Sequence, residues 1–212
     1  MIEAIIFDLD GVICSTDNYH YLAWKQLAKE LNISFHKSDN EKLRGISRLD
    51  SLDIILEKST KQYSSKQKEE FANKKNTIYQ EYLKHMSTKD LSLEVKNTLV
   101  ELKSRGFKLA IGSSSRNTRL ILKQIGLENF FDGVSDGTVI KYSKPHPEVF
   151  MKAADQLNID YKKCLVVEDS IAGCIAGKSA SMKVAAISSA YGCGYSDYYL
   201  NTFSDLLVIC KK

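Results

Sequence analysis

The stretch Ile5–Ile13 constrains the fold more than any other part of the chain, because an apolar run in it ends in two aspartates and a glycine. Such a run is typical of a buried parallel strand that carries polar groups to its carboxyl end. Side chains alternate along extended chain, so Asp8 and Asp10 are expected on one side, where their charges repel unless a cation lies between them. Oxygen ligands favour Mg2+ there. The alternative is a strand ending in a turn whose aspartates cap a helix.

The second half of the chain alternates between helical and short apolar segments. The expected helices span 94–105, 118–125, 147–157 and 171–179, and the expected strands span 108–112, 132–135, 164–167 and 183–187. Strands of this length separated by helices predict an α/β fold, a Rossmann-like parallel sheet that is doubly wound with right-handed crossovers. The run Leu206–Ile209 is expected to add an edge strand.

The block between the first strand and this alternation has a helical pattern throughout. Its apolar residues recur at helical spacing from Leu22 to Leu31, and a long polar helix is expected around Ser64 to His85. We therefore expect a Rossmann-like core from residues 1–14 and 90–212, with an inserted α-helical cap domain from residues 15–89.

Composition excludes several classes of function. The chain has 212 residues, a net charge of +4 and lysines that alternate with acids, which indicates a solvated surface and no nucleic-acid partner. Since no apolar run approaches a membrane span and the first strand follows Met1 closely, we expect no membrane association and a cytoplasmic location. A monomer is a separate expectation. The five cysteines include no CxxC pair and are expected to be reduced thiols.

Polar residues follow three further strands of the expected sheet. The loop Gly112–Asn117 supplies hydroxyls and backbone N–H groups, Lys144 lies in a loop stiffened by two prolines, and Glu168-Asp169 directly follows an apolar strand. Singly, these are typical of helix caps or of a surface lysine. At neighbouring strand ends they indicate phosphoryl transfer through an aspartyl phosphate, with Asp8 as nucleophile and Asp10 as general acid and base.

These residues resemble the four motifs of the haloacid dehalogenase (HAD) superfamily. Asp8-Leu9-Asp10-Gly11-Val12 is similar to its DxDG motif, Ser113 to the second, Lys144 to the third and Glu168-Asp169 to the fourth. The resemblance implies that Mg2+ is held by Asp8, by the backbone carbonyl of Asp10 and by Asp169, with Glu168 in or near that set. It further implies a helical cap of the C1 type and phosphate contacts from Ser114, Arg116 and Asn117, with Arg116 where the best-known pattern has lysine.

The cap resembles that of the β-phosphoglucomutase family within this superfamily, in the stretches 17–25, 44–51 and 74–76. That resemblance implies a sugar-phosphate substrate and β-glucose 1,6-bisphosphate as intermediate. It implies that His20 couples the proton state of Asp10 to closure of the cap and that Arg48 binds the phosphate that is not transferred. The other implied sugar-pocket and supporting residues are Thr16, Trp24, Gly45, Ser51 and Lys75.

Alternatives remain open for these cap residues and for the reaction. His20 and Trp24 are also explained as a half-buried histidine on an aromatic ring and as ordinary helix packing. A sugar-phosphate phosphatase would use the same phosphorylated aspartate, so it is one alternative function. A non-catalytic regulatory binding protein on the same scaffold is a remoter alternative. The mutase is the favoured interpretation because it needs a cap that excludes water from the phosphorylated aspartate.

Overall fold

The computed structural model describes residues 1–43 and 46–211. The chain divides into two compact units, one formed by Met1–Ser15 with Ser87–Lys212 and the other by Thr16–Met86. The second unit is therefore inserted into the first, directly after the segment that contains Asp8 and Asp10.

The first unit is built on a six-stranded sheet in which every pair of neighbouring strands is parallel. Its strands are β1 Ala4–Phe7, β2 Lys108–Gly112, β3 Gly133–Ser135, β4 Cys164–Glu168, β5 Lys183–Ile187 and β6 Tyr198–Leu200, in the order β3-β2-β1-β4-β5-β6. Phe7 is level with Ile111 on one side and Val167 on the other. The predicted α/β class is thus confirmed, and the residues that follow β1, β2 and β4 leave the sheet at the same edge.

The inserted unit is helical. Its helices are α1 Asp17–Glu30, α2 Lys37–Glu41, α3 Arg48–Leu56 and α4 Ser65–Leu83, and its described residues include no strand. Apolar side chains of α1, α3 and α4, among them Leu27, Leu52 and Ala72, form one buried cluster. The Ser64 hydroxyl accepts from the Gln67 N–H and the Gln67 side chain accepts from the Ser64 N–H, a capping box that sets the start of α4.

The described part of the first unit contains five further helices: α5 Leu93–Ser104, α6 Thr118–Gln124, α7 Glu148–Leu157, α8 Ile171–Ser179 and α9 Leu206–Ile209. Alternating helices and strands place apolar side chains of α7 and α8, such as Phe150 and Ala176, against Ile6 and Val166 in one buried cluster. Among the described residues, no helix combines the length and the apolar character needed to span a bilayer.

The prediction of an edge strand at Leu206–Ile209 is wrong, because this run forms α9. A capping box between Thr202 and Asp205 starts a 3-10 turn that continues into the helix. Phe203, Leu206 and Cys210 are buried while Val208 is exposed, which is a helical and not an alternating pattern. The edge of the sheet is instead formed by β6, three residues long and rich in tyrosine.

Candidate active site

Lys144 joins two carboxylates at the carboxyl edge of the sheet. Its Nζ donates to Asp8 Oδ1 at 2.5 Å and to Glu168 Oε1 at 2.6 Å, and only 3% of its side chain is exposed. The ammonium also lies 4.7 Å from the centre of the Phe150 ring. Gly112 makes room for that ring, since a Cβ there would lie 2.6 Å from Phe150 Cδ1. The register of β1 and β4 therefore brings Asp8 and Glu168 to one buried cation.

The pKa values of Asp8 and Lys144 are set by burial on one side and by their mutual attraction on the other. Burial is the largest influence on Asp8 and, with the negative charges of Glu168 and Asp10, raises its pKa to about 7, although Lys144 opposes the shift. Burial disfavours the charged form of Lys144, yet Asp8 and Glu168 together hold the pKa of its ammonium above the usual value. Lys144 is therefore a permanent cation placed against the carboxylate expected to attack phosphorus.

Glu168 is held on its other oxygen by the turn that follows it. Oε2 accepts from the Ser170 N–H at 2.8 Å and from the Ser170 hydroxyl at 2.9 Å. Gly173 closes over the carboxylate, because a Cβ there would lie 1.9 Å from Glu168 Oε1. Both oxygens are thus engaged by protein donors, and the geometry gives Glu168 the role of orienting Lys144.

Asp169 packs against the turn that carries the first two aspartates. A Cβ on Gly11, whose φ is +87°, would lie 2.1 Å from Asp169 Oδ2, so only glycine allows this approach. Burial, the largest cause, and the charges of Asp8, Glu168 and Asp10 raise the pKa of Asp169 to about 8. This crowding of acids is relieved by a cation.

These acids fit a magnesium ion. The described residues contain no group of three or more His, Cys, Asp or Glu side chains placed to hold a metal by themselves. Mg2+ is usually bound in phosphoryl-transfer sites by one or two carboxylates together with water and substrate phosphate. Asp8 and Asp169 supply these two carboxylates, and their mutual repulsion beside the Gly11 turn would be relieved by the bound cation.

The loop after β2 presents polar groups at the same edge. Ser113 is buried, its N–H donates to Ser135 O at 3.0 Å, and its hydroxyl accepts from the Ser115 N–H at 3.2 Å. Ser114 Oγ is buried and has no hydrogen-bond partner within the described part of the chain. The loop then exposes Arg116 and leads through the buried Asn117 into α6. It has hydroxyl and N–H groups suited to an anion.

A turn after β3 supports this loop, and the sequence reasoning did not include it. The Gly137 N–H donates to Ser115 O at 3.0 Å, and a Cβ on Gly137 would lie 2.4 Å from Ser114 O. Asp136, 1% exposed, accepts from the N–H and the hydroxyl of Thr138 at 2.9 and 2.5 Å. The sequence signal was the Asp-Gly pair at a strand end, which is typical of a tight turn.

The inserted unit contains a buried ammonium among aromatic rings. Lys75, 2% exposed, has its Nζ 4.7 Å from the Trp24 ring centre, 4.5 Å from that of Tyr79 and 2.8 Å from His20 Nδ1. Burial, followed by the charges of Lys75 and Arg48, lowers the pKa of His20 well below its usual value. His20 is therefore neutral, accepts from Lys75 at Nδ1 and carries its proton on Nε2.

The remaining predicted residues of this unit lie around that cluster or in α3. The Tyr79 hydroxyl donates to Thr16 Oγ1 at 2.9 Å, and both residues are buried. Arg48 is the first residue of α3, half-buried and near enough to His20 to affect its pKa, while Ser51 is buried one turn further on. Gly45 lies outside the described residues.

The structure thus brings the predicted residues that it describes together in two groups, one in each unit. Their functional roles stay predictions. Sequence reasoning missed Phe150, Gly173 and Tyr79, which pack against or orient predicted residues. Tyr79 had a signal, since it lies four residues after Lys75 on one helix. Phe150 and Gly173 had none, because their contacts cross between elements.

Comparison with known proteins gives consistent relatives. The sequence profile of the family described as haloacid dehalogenase-like hydrolase matches residues 5–187. The chain is 36% identical over 206 residues to the beta-phosphoglucomutase of Bacillus subtilis, covering 96% of this chain and 91% of that protein. A crystal structure of beta-phosphoglucomutase from Clostridium difficile matches with a TM-score of 0.89 and 36% identity, over 97% of this chain and 93% of that one. A phosphorylated carbohydrates phosphatase of Thermotoga maritima is 28% identical, over 85% of this chain and 82% of that protein.

Proposed function

Since the chain belongs to the haloacid dehalogenase-like hydrolase family, we propose that it is a β-phosphoglucomutase, which interconverts β-glucose 1-phosphate and glucose 6-phosphate. The observation that carries the phosphoryl chemistry is the contact between the Lys144 ammonium and the Asp8 carboxylate. The choice of a mutase is supported by the relative of 36% identity, whose match extends over nearly the whole chain, the inserted unit included.

The proposed reaction begins at Asp8. A carboxylate oxygen of Asp8 attacks a phosphorus of β-glucose 1,6-bisphosphate in line with the leaving oxygen, so that a bond to Asp8 forms as the bond to the sugar oxygen breaks and a glucose monophosphate leaves. Asp10 gives its proton to the departing sugar oxygen and later takes a proton from the accepting hydroxyl. The Lys144 charge, held in place by Glu168, lies where it can neutralise the phosphoryl oxygens.

The mutase cycle needs a second position on the sugar. The phosphoryl group passes from Asp8 to the free 6-hydroxyl of β-glucose 1-phosphate, which gives β-glucose 1,6-bisphosphate. The 1-phosphate of this intermediate then passes to Asp8 and glucose 6-phosphate leaves. A bound Mg2+ supplies positive charge to the transferring phosphoryl group, and Asp8 and Asp169, with the backbone carbonyl of Asp10, are its proposed ligands. Hydroxyl and N–H groups of Ser113, Ser114 and Asn117 are proposed to bind phosphate oxygens, with Arg116 as a further cation.

The inserted unit supplies the proposed sugar specificity. Arg48 is proposed to bind the phosphate that is not transferred, because a guanidinium matches a phosphate bidentately. Lys75, with Ser51 and Gly45, is proposed to contact sugar hydroxyls, while Thr16 and Trp24 support that pocket. His20, neutral and with a proton on Nε2, is proposed to hold Asp10 in the state that suits transfer to sugar.

The test follows both possible products of β-glucose 1-phosphate in the presence of magnesium and a trace of β-glucose 1,6-bisphosphate. A mutase forms glucose 6-phosphate with little free phosphate. A sugar-phosphate phosphatase, the second candidate favoured by the Thermotoga maritima relative, releases free phosphate and glucose in equal amounts. Free phosphate as the main product would contradict the mutase proposal, and no turnover of any sugar phosphate would contradict both candidates.

A further inference from the structure

The turn after β5 makes a contact with Asp169 that the proposed chemistry does not use. Glu168 at the end of β4 is level with Ala186 of β5, so the residues that follow these two strands leave the sheet side by side. There the hydroxyl of the exposed Ser189 donates to Asp169 O at 2.6 Å. The neighbouring strand thus supplies a hydrogen bond to the backbone of a proposed magnesium ligand.

The peptide unit between Asp169 and Ser170 is held at both ends. Its carbonyl accepts from the Ser189 hydroxyl, and its N–H donates to Glu168 Oε2 at 2.8 Å. Since a peptide unit is planar, these two bonds together fix the ψ angle of Asp169 and the φ angle of Ser170. The Asp169 carboxylate, which lies against Gly11, therefore extends from a backbone of fixed orientation.

The backbone on both sides of Ser189 has a defined conformation. Ser188 has a φ of +54°, a left-handed conformation that is uncommon for a residue with a Cβ and is kept only where the surrounding structure determines it. It begins a 3-10 turn in which the Tyr191 N–H donates to Ser188 O at 3.1 Å. Ala190 is fully buried in the same cluster as side chains of α8. The direction of the Ser189 hydroxyl is therefore set by its own turn and not by Asp169 alone.

We propose that Ser189 is a positioning residue for the magnesium site and acts through the backbone of Asp169. This role rests on the proposed function, in which Asp169 is a ligand of Mg2+. Ser189 does not itself bind the metal; its hydroxyl holds the carbonyl of the peptide unit that follows the ligand. Loss of a group that orients a metal ligand typically weakens metal binding by about 10- to 100-fold. Because Ser189 acts on the backbone and not on the carboxylate, we expect an effect at the lower end of that range.

The experiment measures binding of Mg2+ to the metal-free full chain by isothermal titration calorimetry. Ser189→Ala removes the hydroxyl at an exposed position, so the fold should be little affected, and urea unfolding checks this. Ser189→Thr keeps a hydroxyl and is the rescue variant. Ser104→Ala is the matched control, because the exposed Ser104 hydroxyl also donates to a backbone carbonyl, that of Glu101 at 2.8 Å. Ser104 ends α5 shortly before the amino end of β2, away from the edge of the sheet that carries Asp169.

In Ser189→Ala we expect the dissociation constant for Mg2+ to rise by about 10-fold, with Ser189→Thr and Ser104→Ala close to the wild-type value. In turnover assays the half-saturating Mg2+ concentration should rise by a similar factor and kcat should change less, because saturating metal compensates for weaker binding. A loss of folded protein would instead lower the rate at every Mg2+ concentration.

The proposal is overturned if Ser189→Ala binds Mg2+ as tightly as the wild-type chain, or if Ser189→Thr binds it as weakly as Ser189→Ala. It is also overturned if the wild-type chain binds no Mg2+, and that result alone would contradict the metal ligands of the proposed function as well. The two failures are therefore distinguished by the wild-type titration.

Discussion

The Lys144 ammonium lies 2.5 Å from the Asp8 carboxylate although 136 residues separate them in the chain. Three strand ends meet there, because β1 is paired on both sides, with β2 and with β4. The ammonium is almost fully enclosed and also binds Glu168. A buried cation between two acids is strongly coupled to both, so its removal is expected to be costly.

Lys144→Met should reduce the free energy of unfolding by about 3 kcal/mol, since it leaves two buried carboxylates without their cation. The pKa of Asp8, already about 7, rises further in the variant. A folded pKa above the unfolded value favours unfolding as pH increases, so the loss should be greater near pH 8 than near pH 5. Urea unfolding at both pH values measures this. Lys152→Met, at a surface pair with Glu148, is the control and should change stability by less than about 1 kcal/mol at either pH.

Asp8→Asn should abolish turnover, because an amide cannot form the phosphorylated intermediate. We expect kcat to fall by about 10⁴-fold or more, with no gain of one phosphoryl mass when the protein is incubated with β-glucose 1,6-bisphosphate. Intact-protein mass spectrometry and steady-state kinetics provide the measurement. Asp155→Asn, which removes an acid on α7 away from the candidate site, should retain activity. Near-normal turnover by Asp8→Asn would remove the nucleophile assignment.

Arg48→Ala should weaken the use of β-glucose 1-phosphate by roughly 10- to 150-fold in kcat/KM, the range of a charge-assisted hydrogen bond. The matched variant Lys68→Ala removes another half-buried cation of the same unit, one that pairs with Asp53, and should have little effect. Equal kinetics for both variants would show that Arg48 does not bind the second phosphate.

His20→Ala should increase the share of phosphoryl groups that pass to water. The imidazole accepts from Lys75 and is held neutral, so its loss removes an ordered proton donor and frees the Lys75 ammonium from that contact. The ratio of free phosphate to glucose 6-phosphate should rise several-fold, while His85→Ala, at an exposed histidine, should leave it unchanged. An unaltered ratio in His20→Ala would argue against the coupling role.

Gly137→Ala should impair phosphate use through the loop after β2. The added methyl would overlap Ser114 O and Arg116, so the loop must move, and displacements of this kind reduce kcat/KM by about 10- to 100-fold. In Gly133→Ala the nearest atoms to the added methyl are side-chain atoms at 3.2 Å or more, in contrast to the backbone oxygen at 2.4 Å in Gly137→Ala, which makes it a suitable control. Matching kinetics for the two variants would exclude the supporting role of the Gly137 turn.

Much of the candidate site could be predicted because its residues follow apolar runs whose pattern is local. Asp8, Lys144 and Glu168 are each adjacent to a strand or a proline-containing loop, and the parallel topology brings such positions to one edge. The run Leu206–Ile209 was misread since four apolar residues suit a strand or a helix equally. The Thr202 and Asp205 capping box, together with burial of Leu206, decided in favour of the helix.

The amino-acid pattern alone determined the α/β class, the inserted helical block and which acids and cations reach the sheet edge, because hydrophobic periodicity and strand-end chemistry are properties of neighbouring residues. Only the tertiary structure decided how those groups are paired. Ser170 and Gly173 hold Glu168, Gly11 admits Asp169, and Phe150 lies beside Lys144. These contacts depend on distances between elements far apart in the chain, and those distances follow from how the whole core packs.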